Sequence, residues 1–232
     1  MRLEGVIPPM PTPTDDECEI DTQALRRYTR FLLDNGVDGL FPCGSVGEFS
    51  SLTPQQRETV VETVTDEASV PVLAGCGDTS LALVEKHVQT AADCGADAAV
   101  VVTPYYLDTT QSGFGRFYEA VAETAPIPIL LYNIPALTGE RLSVELIREL
   151  AAHDNIIGLK DTSGDLTFVY EVIRETPDDF AVLQGSTPLA VASLEAGVDG
   201  LVAGTANVFP EHMTSLYDSF RRNERERIDE IK

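Results

Sequence analysis

Lys160 is the residue whose position most strongly suggests chemistry. The chain has only three lysines, Lys86, Lys160 and Lys232, and Lys160 directly follows the apolar run 156–159. An amine at the end of a buried strand loses hydration in its charged form, so its pKa should fall and leave a neutral nucleophile for Schiff-base chemistry. A lysine that extends to solvent, or that pairs with Asp161, fits the spacing equally well, and the residues alone leave these alternatives open.

Two other segments place polar groups at the ends of apolar runs. The hydroxyl of Tyr132 could move a proton at an imine or a departing oxygen, although a rim tyrosine with its hydroxyl as a polar tip is the alternative. The segment Gly44-Ser45-Val46-Gly47 offers consecutive backbone N–H groups in a glycine-flanked turn. Such a turn suits a substrate carboxylate, but it also occurs in ordinary loops.

Other common catalytic sets do not fit the sequence. Ser45 is not in a GxSxG elbow, and the three histidines fall in or beside predicted helices, which argues against a Ser-His-Asp hydrolase. The four cysteines form no CxxC pair and have no neighbouring histidine, a pattern typical of neither a disulfide framework nor a zinc site. We therefore predict no metal centre. These residues are His87, His153, His212, Cys18, Cys43, Cys76 and Cys94.

Eight short apolar runs must position these groups. They recur at intervals of roughly 25 to 30 residues between amphipathic stretches, the pattern of a parallel sheet wrapped by helices. Eight strands close a TIM barrel, whose active site lies at the C-terminal strand ends. No GxGxxG follows the first run, which disfavours an open doubly wound sheet. We predict a single (β/α)8 barrel domain over residues 1–232, with strands at Gly5–Met10, Gly39–Gly44, Val70–Gly75, Ala98–Pro104, Pro128–Asn133, Ile156–Asp161, Phe180–Gly185 and Gly200–Gly204.

Helix start and stop signals lie between the runs. Asp21, Thr53-Pro54 and Ser143 stand where helix N-caps are expected. Glycine follows three predicted helices at C-cap positions. Each of these glycines belongs to a short repeated motif that precedes the next strand, as in Asn35-Gly36-Val37-Asp38-Gly39 and Ala196-Gly197-Val198-Asp199-Gly200. The repetition favours stacked βα units.

The net charge of −22 excludes several classes of partner. Such a field repels nucleic acid and anionic membrane surfaces, and no apolar run is long enough to span a bilayer. The acids are dispersed over predicted helix faces, which favours a halophilic, high-salt cytoplasm where self-repulsion is screened. No export signal is recognised at the N-terminus, so a cytoplasmic location is expected.

Taken together, the motifs resemble those of the dihydrodipicolinate synthase / N-acetylneuraminate lyase family of pyruvate-dependent class I aldolases. The resemblance runs in order through GSVGEFSSLTPQQR, VTPYY, YNIPALTG, NIIGLKDTSGD and GVDGLVAGTANVFPE. It implies that Lys160 condenses with the carbonyl carbon of a small-molecule 2-oxo acid without a cofactor. Tyr132 would be the general acid/base, and Ser45 would relay protons and anchor the carboxylate.

The resemblance also implies further contacts and an assembly. Tyr106 resembles the residue that family members lend across a tight dimer, so a homodimer or homotetramer is expected. Thr162 is a candidate contact for hydroxyls on the aldehyde side. The implied substrate-binding residues are Ser45, Val46, Gly47, Thr162, Gly185 and Val202.

Departures from the family's branches indicate the substrate. The synthase branch places an arginine after YNIP for a carboxylate, where this chain has Ala136 and Leu137, and Val46 lacks a hydroxyl usual in that branch. Sialic acid lyases carry acidic residues where Gly185-Ser186-Thr187-Pro188 stands. The motifs are most similar to 2-keto-3-deoxygluconate aldolases, which release pyruvate and an aldehyde such as glyceraldehyde.

Three alternatives remain open at this stage. Two are enzymes of the same family, 4-hydroxy-tetrahydrodipicolinate synthase and N-acetylneuraminate lyase. The third is a catalytically silent barrel that binds a 2-oxo acid. Family members usually continue into a small helical C-terminal region, which we expect to be largely absent here. That absence would weaken tetramer contacts.

Overall fold

A parallel, curled sheet with helices packed around it forms the TIM-barrel-like frame of the molecule. The computed structural model describes residues 3–231. The sheet has seven strands in the order β1-β7-β6-β5-β4-β3-β2, all paired in parallel. The strands are β1 (Gly5–Val6), β2 (Leu73–Gly75), β3 (Ala98–Val102), β4 (Ile129–Asn133), β5 (Ile156–Asp161), β6 (Ala181–Gln184) and β7 (Gly200–Leu201).

The predicted strand Gly39–Gly44 is not a regular strand. Only two isolated parallel bridges are formed there, Pro9 with Phe41 and Leu40 with Val72. They still place residues 40 and 41 between β1 and β2. Prolines explain the interruption, because a proline has no N–H to donate to a ladder, and positions 8, 9, 42 and 71 are all proline. The same prolines limit β1, predicted as Gly5–Met10, to two residues.

Helices separate the strands, and the N-caps predicted from sequence are confirmed. The Asp21 carboxylate accepts from the Ala24 N–H at 2.8 Å, Thr53 forms a reciprocal capping box with Gln56, and Ser143 caps the helix that follows it. Among residues 3–231, no helix is long and apolar enough to cross a membrane. The helices are α1 (Thr22–Asp34), α2 (Pro54–Glu67), α3 (Leu81–Asp93), α4 (Gln111–Thr124), α5 (Pro135–Thr138), α6 (Val144–Leu150), α7 (Leu166–Glu175), α8 (Ala190–Ala196), α9 (Pro210–Arg221) and α10 (Arg225–Ile231), with 3-10 turns at Phe49–Ser51, Thr187–Leu189 and Gly204–Asn207.

Two apolar cores lie on the two faces of the sheet. Along β3, Ala98, Val100 and Val102 belong to the inner cluster, whereas Ala99 and Val101 belong to the outer one against the helices. This is the alternation expected of a strand buried on both faces. The inner cluster also contains side chains at the C-terminal strand ends, and those side chains form the site.

The repeated glycine and aspartate phrase organises the opposite end of the sheet. Gly36 and Gly197 have φ values of +76° and +107°, a left-handed conformation that glycine adopts without steric cost. The aspartate that follows each glycine accepts a backbone N–H from the neighbouring strand. Asp38 accepts from Val6 at 2.8 Å, and Asp199 accepts from Val182 at 2.9 Å. The repeat therefore joins adjacent βα units.

Candidate active site

Lys160 and Tyr132 lie side by side at the C-terminal ends of β5 and β4. The two residues are direct partners in the strand register. The Lys160 Nζ lies 3.8 Å from the centre of the Tyr132 ring and 4.8 Å from the centre of the Phe41 ring. The Tyr132 hydroxyl is 3.4 Å from the Ser45 Oγ. The fold therefore brings three of the predicted residues, Lys160, Tyr132 and Ser45, into one cluster.

The Lys160 amine is buried and has no polar partner. Its side chain is only 4% exposed, and no hydrogen bond or ion pair from its Nζ is found within residues 3–231. Burial lowers the pKa of Lys160 to about 7, because the charged form loses its hydration. Neither the solvent-exposed lysine nor the ion pair with Asp161 is formed. The lowered pKa favours the neutral amine that a Schiff base requires.

The Tyr132 hydroxyl stays protonated in the neutral pH range. Burial raises the pKa of this phenol, and the hydroxyls of Ser45 and Thr162 oppose the shift only in part. The Thr162 Oγ1 is itself buried and has no hydrogen-bond partner of good geometry in the described chain. A protonated phenol beside a neutral amine can donate a proton to an oxygen that leaves from that amine's adduct.

Gly185 lies beside the Lys160 and Thr162 side chains, and Val202 belongs to the inner apolar cluster that contains Tyr132. A side chain at Gly185 would overlap the Thr162 hydroxyl, and its Cβ would lie 3.1 Å from the Lys160 Cε. Val202 is 2% exposed and belongs to the inner cluster with Tyr132. The missing side chain at position 185 leaves room next to the amine.

The turn after residue 43 presents free backbone donors. Cys43 and Glu48 bracket it with φ values of +55° and +53°, a conformation that non-glycine residues seldom adopt. Between them, the N–H groups of Ser45, Val46 and Gly47 donate to no other described residue. The Val46 side chain is 43% exposed. Consecutive free N–H groups form a nest for an anion such as a carboxylate.

A cavity of about 250 Å³ adjoins Ser45, and the sequence predicted only part of its lining. Ser45 is the one lining residue that was predicted as a site residue, and the seven others, among them Phe49, Tyr105 and Ile134, were not. The sequence signal for Tyr105 is its place beside Tyr106 in the Tyr105-Tyr106 pair. In the structure, Tyr105 packs edge-on against Phe49, with the ring centres 6.1 Å apart. The cavity is lined by Ser45, Phe49, Ser50, Val102, Tyr105, Ile134, Leu137 and Thr138, none of which is charged.

Tyr106 does not reach this cluster within its own chain. Its side chain is 90% exposed, and its φ is +80°. Leu107 beside it is 75% exposed. The side chain is therefore largely in contact with solvent.

No metal ligands converge in the described part of the chain. Residues 3–231 contain no group of three or more His, Cys, Asp or Glu side chains that could hold an ion. The four cysteines are all free. The groups that the fold brings together are the Lys160 amine and the Tyr132 and Ser45 hydroxyls, and Ser45 also lines the cavity.

Comparison with known proteins gives a consistent result. The model of the dihydrodipicolinate synthetase family matches residues 2–232. A 4-hydroxy-tetrahydrodipicolinate synthase from Methanopyrus kandleri is 40% identical over 99% of this chain and 78% of its own length. Escherichia coli YagE, a prophage protein of the dihydrodipicolinic acid synthase family solved in complex with pyruvate, matches with a TM-score of 0.95 at 32% identity, over 99% of this chain and 79% of YagE. A 2-keto 3-deoxygluconate aldolase from Picrophilus torridus matches with a TM-score of 0.92 at 32% identity, over 97% of this chain and 82% of its own.

Proposed function

Because the chain belongs to the dihydrodipicolinate synthetase family, we propose that it cleaves 2-keto-3-deoxygluconate-type sugar acids to pyruvate and an aldehyde such as glyceraldehyde, through a Schiff base on Lys160. Members of this family are pyruvate-dependent class I lyases and aldolases that use a lysine Schiff base and no external cofactor. The observation that carries the assignment to Lys160 is its amine, buried without a polar partner beside the Tyr132 hydroxyl.

The reaction begins with the neutral amine. It attacks the carbonyl carbon of the 2-oxo acid, and the resulting carbinolamine loses water to give the imine. The N–H groups of Ser45, Val46 and Gly47 hold the substrate carboxylate. Tyr132, with Ser45 as its hydrogen-bond partner, donates the proton that leaves with the water.

Carbon–carbon cleavage follows from the imine. Tyr132, deprotonated after the first step, takes the proton of the hydroxyl on C4, the C3–C4 bond breaks, and its electron pair flows into the protonated imine to form an enamine. The aldehyde leaves. Protonation of the enamine at C3 and hydrolysis of the imine release pyruvate and restore the Lys160 amine.

The lining of the cavity supports an uncharged aldehyde. Leu137 stands where the synthase branch has its arginine, and the eight lining residues include no cation. The buried Thr162 hydroxyl lacks a complete hydrogen bond, so it could pair with a hydroxyl of a sugar-derived aldehyde. The 32% identity to the Picrophilus torridus aldolase is in keeping with this substrate.

The second candidate is 4-hydroxy-tetrahydrodipicolinate synthase. It is favoured by the 40% identity to the Methanopyrus kandleri synthase and opposed by Leu137. N-acetylneuraminate lyase has no comparable support. A catalytically silent barrel would need neither the amine nor the adjoining Tyr132 and Ser45 hydroxyls.

Two structural proposals accompany the function. The bridges at Leu40 and Phe41 support an eighth, irregular strand that closes the barrel between β1 and β2. The 90% exposure of Tyr106 supports a homodimer or homotetramer in which this side chain completes the site of a second copy. Analytical ultracentrifugation of the parent and Tyr106→Phe, with activity measured on both, would test that assembly. The halophilic, cytoplasmic setting stays a prediction.

Substrate turnover separates the two candidates. Pyruvate release from 2-keto-3-deoxygluconate is measured beside condensation of pyruvate with aspartate semialdehyde, on the parent and on Leu137→Arg. We expect the parent to prefer the sugar acid and the variant to gain activity with the semialdehyde, because arginine can bind its carboxylate in a bidentate manner. A parent that condenses the semialdehyde faster than it cleaves the sugar acid would contradict the proposed substrate and favour the synthase.

A further inference from the structure

We propose that Asn133 and Asp161 act as a positioning pair for Tyr132 and Lys160, a role that rests on the proposed Schiff-base function. Asn133 directly follows Tyr132, and Asp161 directly follows Lys160. The strand register pairs Tyr132 with Lys160 and Asn133 with Asp161. Because side chains alternate along a strand, the pair lies on the helix side of the sheet, immediately behind the two reactive groups.

The two side chains form a closely bonded, fully buried unit. Both are 0% exposed, and the Asn133 Nδ2 donates to the Asp161 Oδ1 at 2.6 Å. The other carboxylate oxygen accepts from the Ser163 N–H at 3.1 Å and from the Ser163 Oγ at 2.8 Å. The Asn133 Oδ1 accepts from the Leu142 N–H at 3.1 Å. The pair therefore links β4 and β5 through side chains as well as backbone.

The same contacts anchor the loops that leave these strands. Leu142 ends the segment that carries Leu137 and Thr138 into the cavity. Ser163 directly follows Thr162. Each loop is therefore tied to the pair at a point beyond its substrate-facing residues.

The ion pair between Arg141 and Asp165 closes this network into a ring. The Ser163 Oγ accepts from the Asp165 N–H at 3.2 Å, and the Arg141 guanidinium donates to Asp165 at 2.9 Å. Arg141 is bonded in sequence to Leu142, which returns the network to Asn133. A closed ring of contacts resists displacement of any one member.

This support matters because the Lys160 amine forms no hydrogen bond with any residue in the range 3–231. Its position depends on its strand and on packing against Phe41 and Tyr132. A displacement of about 1 Å in a reacting group can cost roughly 100-fold in rate. Loss of the pair should thus lower the maximal rate of imine formation. Pyruvate affinity should change less, because the proposed carboxylate donors lie on the turn at residues 45–47.

A swap of donor and acceptor tests the pair. In Asp161→Asn, the side-chain amides of residues 133 and 161 place two donors opposite each other. In Asn133→Asp, two carboxylates face each other at the same place. The double variant Asn133→Asp/Asp161→Asn can restore every bond, because the new Asn donates to the new Asp and its oxygen accepts from Ser163. The readout is the rate at which borohydride traps pyruvate on the chain, measured against pyruvate concentration.

The expected pattern separates positioning from general stability. Each single variant should lose at least about tenfold in maximal trapping rate with less than about threefold change in half-saturating pyruvate, and the swap should return to within about threefold of the parent. Ser193→Ala is the matched control. It removes a buried bond from the Gln184 Nε2 at 2.8 Å on the next strand, and it should lower the thermal midpoint without lowering the trapping rate.

Two results would overturn the pair's role. One is a single variant that traps pyruvate at the parent's maximal rate, and the other is a swapped variant with the parent's thermal midpoint that stays as slow as the singles. If a single variant fails to fold, the swap still decides. A parent that traps no pyruvate would instead overturn the proposed function itself.

Discussion

The two ends of the parallel sheet treat their polar groups in opposite ways. At the N-terminal strand ends, Asp38, Asp97 and Asp199 each accept a backbone N–H from a neighbouring strand, at 2.8, 2.8 and 2.9 Å. At the C-terminal ends, the buried Thr162 hydroxyl has no hydrogen-bond partner among residues 3–231, and within those residues the Lys160 amine contacts the Tyr132 and Phe41 rings. The three aspartates therefore have internal partners, whereas the Thr162 hydroxyl at the other end does not.

The difference shows where the fold accepts a thermodynamic cost. A buried polar group without a partner is expensive, and Thr103 and Thr162, which follow the C-terminal ends of β3 and β5, each have such a hydroxyl. Burial of the Lys160 amine has a similar cost. It destabilises the charged form and thereby lowers the pKa of the amine to about 7. The aspartate hydrogen bonds at the N-terminal end stabilise the sheet, and the proposed reactive groups lie at the C-terminal end.

The largest expected effect is at Tyr132. Tyr132→Phe removes the proposed proton donor while keeping the ring that packs against Phe41, so the rate of sugar-acid cleavage should fall by about 10²- to 10⁴-fold. The measurement is steady-state pyruvate release. Tyr118→Phe is the control, because Tyr118 is equally buried but donates to the Val101 carbonyl on the helix side of β3, at 3.1 Å. An equal loss of cleavage rate in Tyr132→Phe and Tyr118→Phe would contradict a specific role for the Tyr132 hydroxyl.

The second effect is on stability and depends on pH. Lys160→Met should raise the free energy of unfolding below pH 7 by on the order of 3 kcal/mol, because the unfolded chain keeps the lysine protonated up to its ordinary pKa while the folded chain binds the proton only below about pH 7. The gain should shrink as the pH rises from 7 toward 10.5, where both states lose the proton.

Urea unfolding at pH 6 and pH 10 measures that gain. Lys86→Met, at an exposed lysine, is the control and should show no comparable difference between the two pH values. A gain for Lys160→Met that is the same at both pH values would mean that the buried amine carries no desolvation cost.

The smallest effect is expected at the N-terminal strand ends. Asp97→Ala removes the acceptor of the Val72 N–H and should cost about 1 kcal/mol of unfolding free energy. The rate of pyruvate trapping should stay within about twofold of the parent, because no bond of Asp97 leads to the site. A large loss of trapping by a fully folded Asp97→Ala would show that the two ends are coupled.

Much of the fold was predictable from local signals. The caps at Asp21, Thr53 and Ser143 were confirmed because a capping side chain bonds to residues two or three positions away. The second predicted run does not form a regular strand, because prolines at positions 8, 9, 42 and 71 limit its pairing, and hydrophobic periodicity does not report such an interruption. The apolar run Gly39–Gly44 was visible in the sequence, yet only two isolated bridges are formed there.

The site was predictable only where it follows strand ends. Lys160, Tyr132 and Ser45 were singled out by position, and the structure brings them together. Phe49 and Ile134 were missed because their contact with the cavity depends on how two loops fold back, which spacing does not encode. The ring through Asn133 and Asp161 was invisible for the same reason, since its partners at Leu142 and Ser163 lie on different loops. The place of Tyr106 in a second copy stays a prediction.

The most direct test of the central claim is intact-mass analysis after pyruvate and borohydride are added, between pH 5 and pH 9, on the parent and on Lys160→Ala. We predict one reduced pyruvate adduct per parent chain and none on the variant, with a trapping rate that rises with pH about a midpoint near 7 as Lys160 loses its proton. An unlabelled parent, or a variant labelled as fast as the parent, would contradict the assignment of the reactive amine to Lys160.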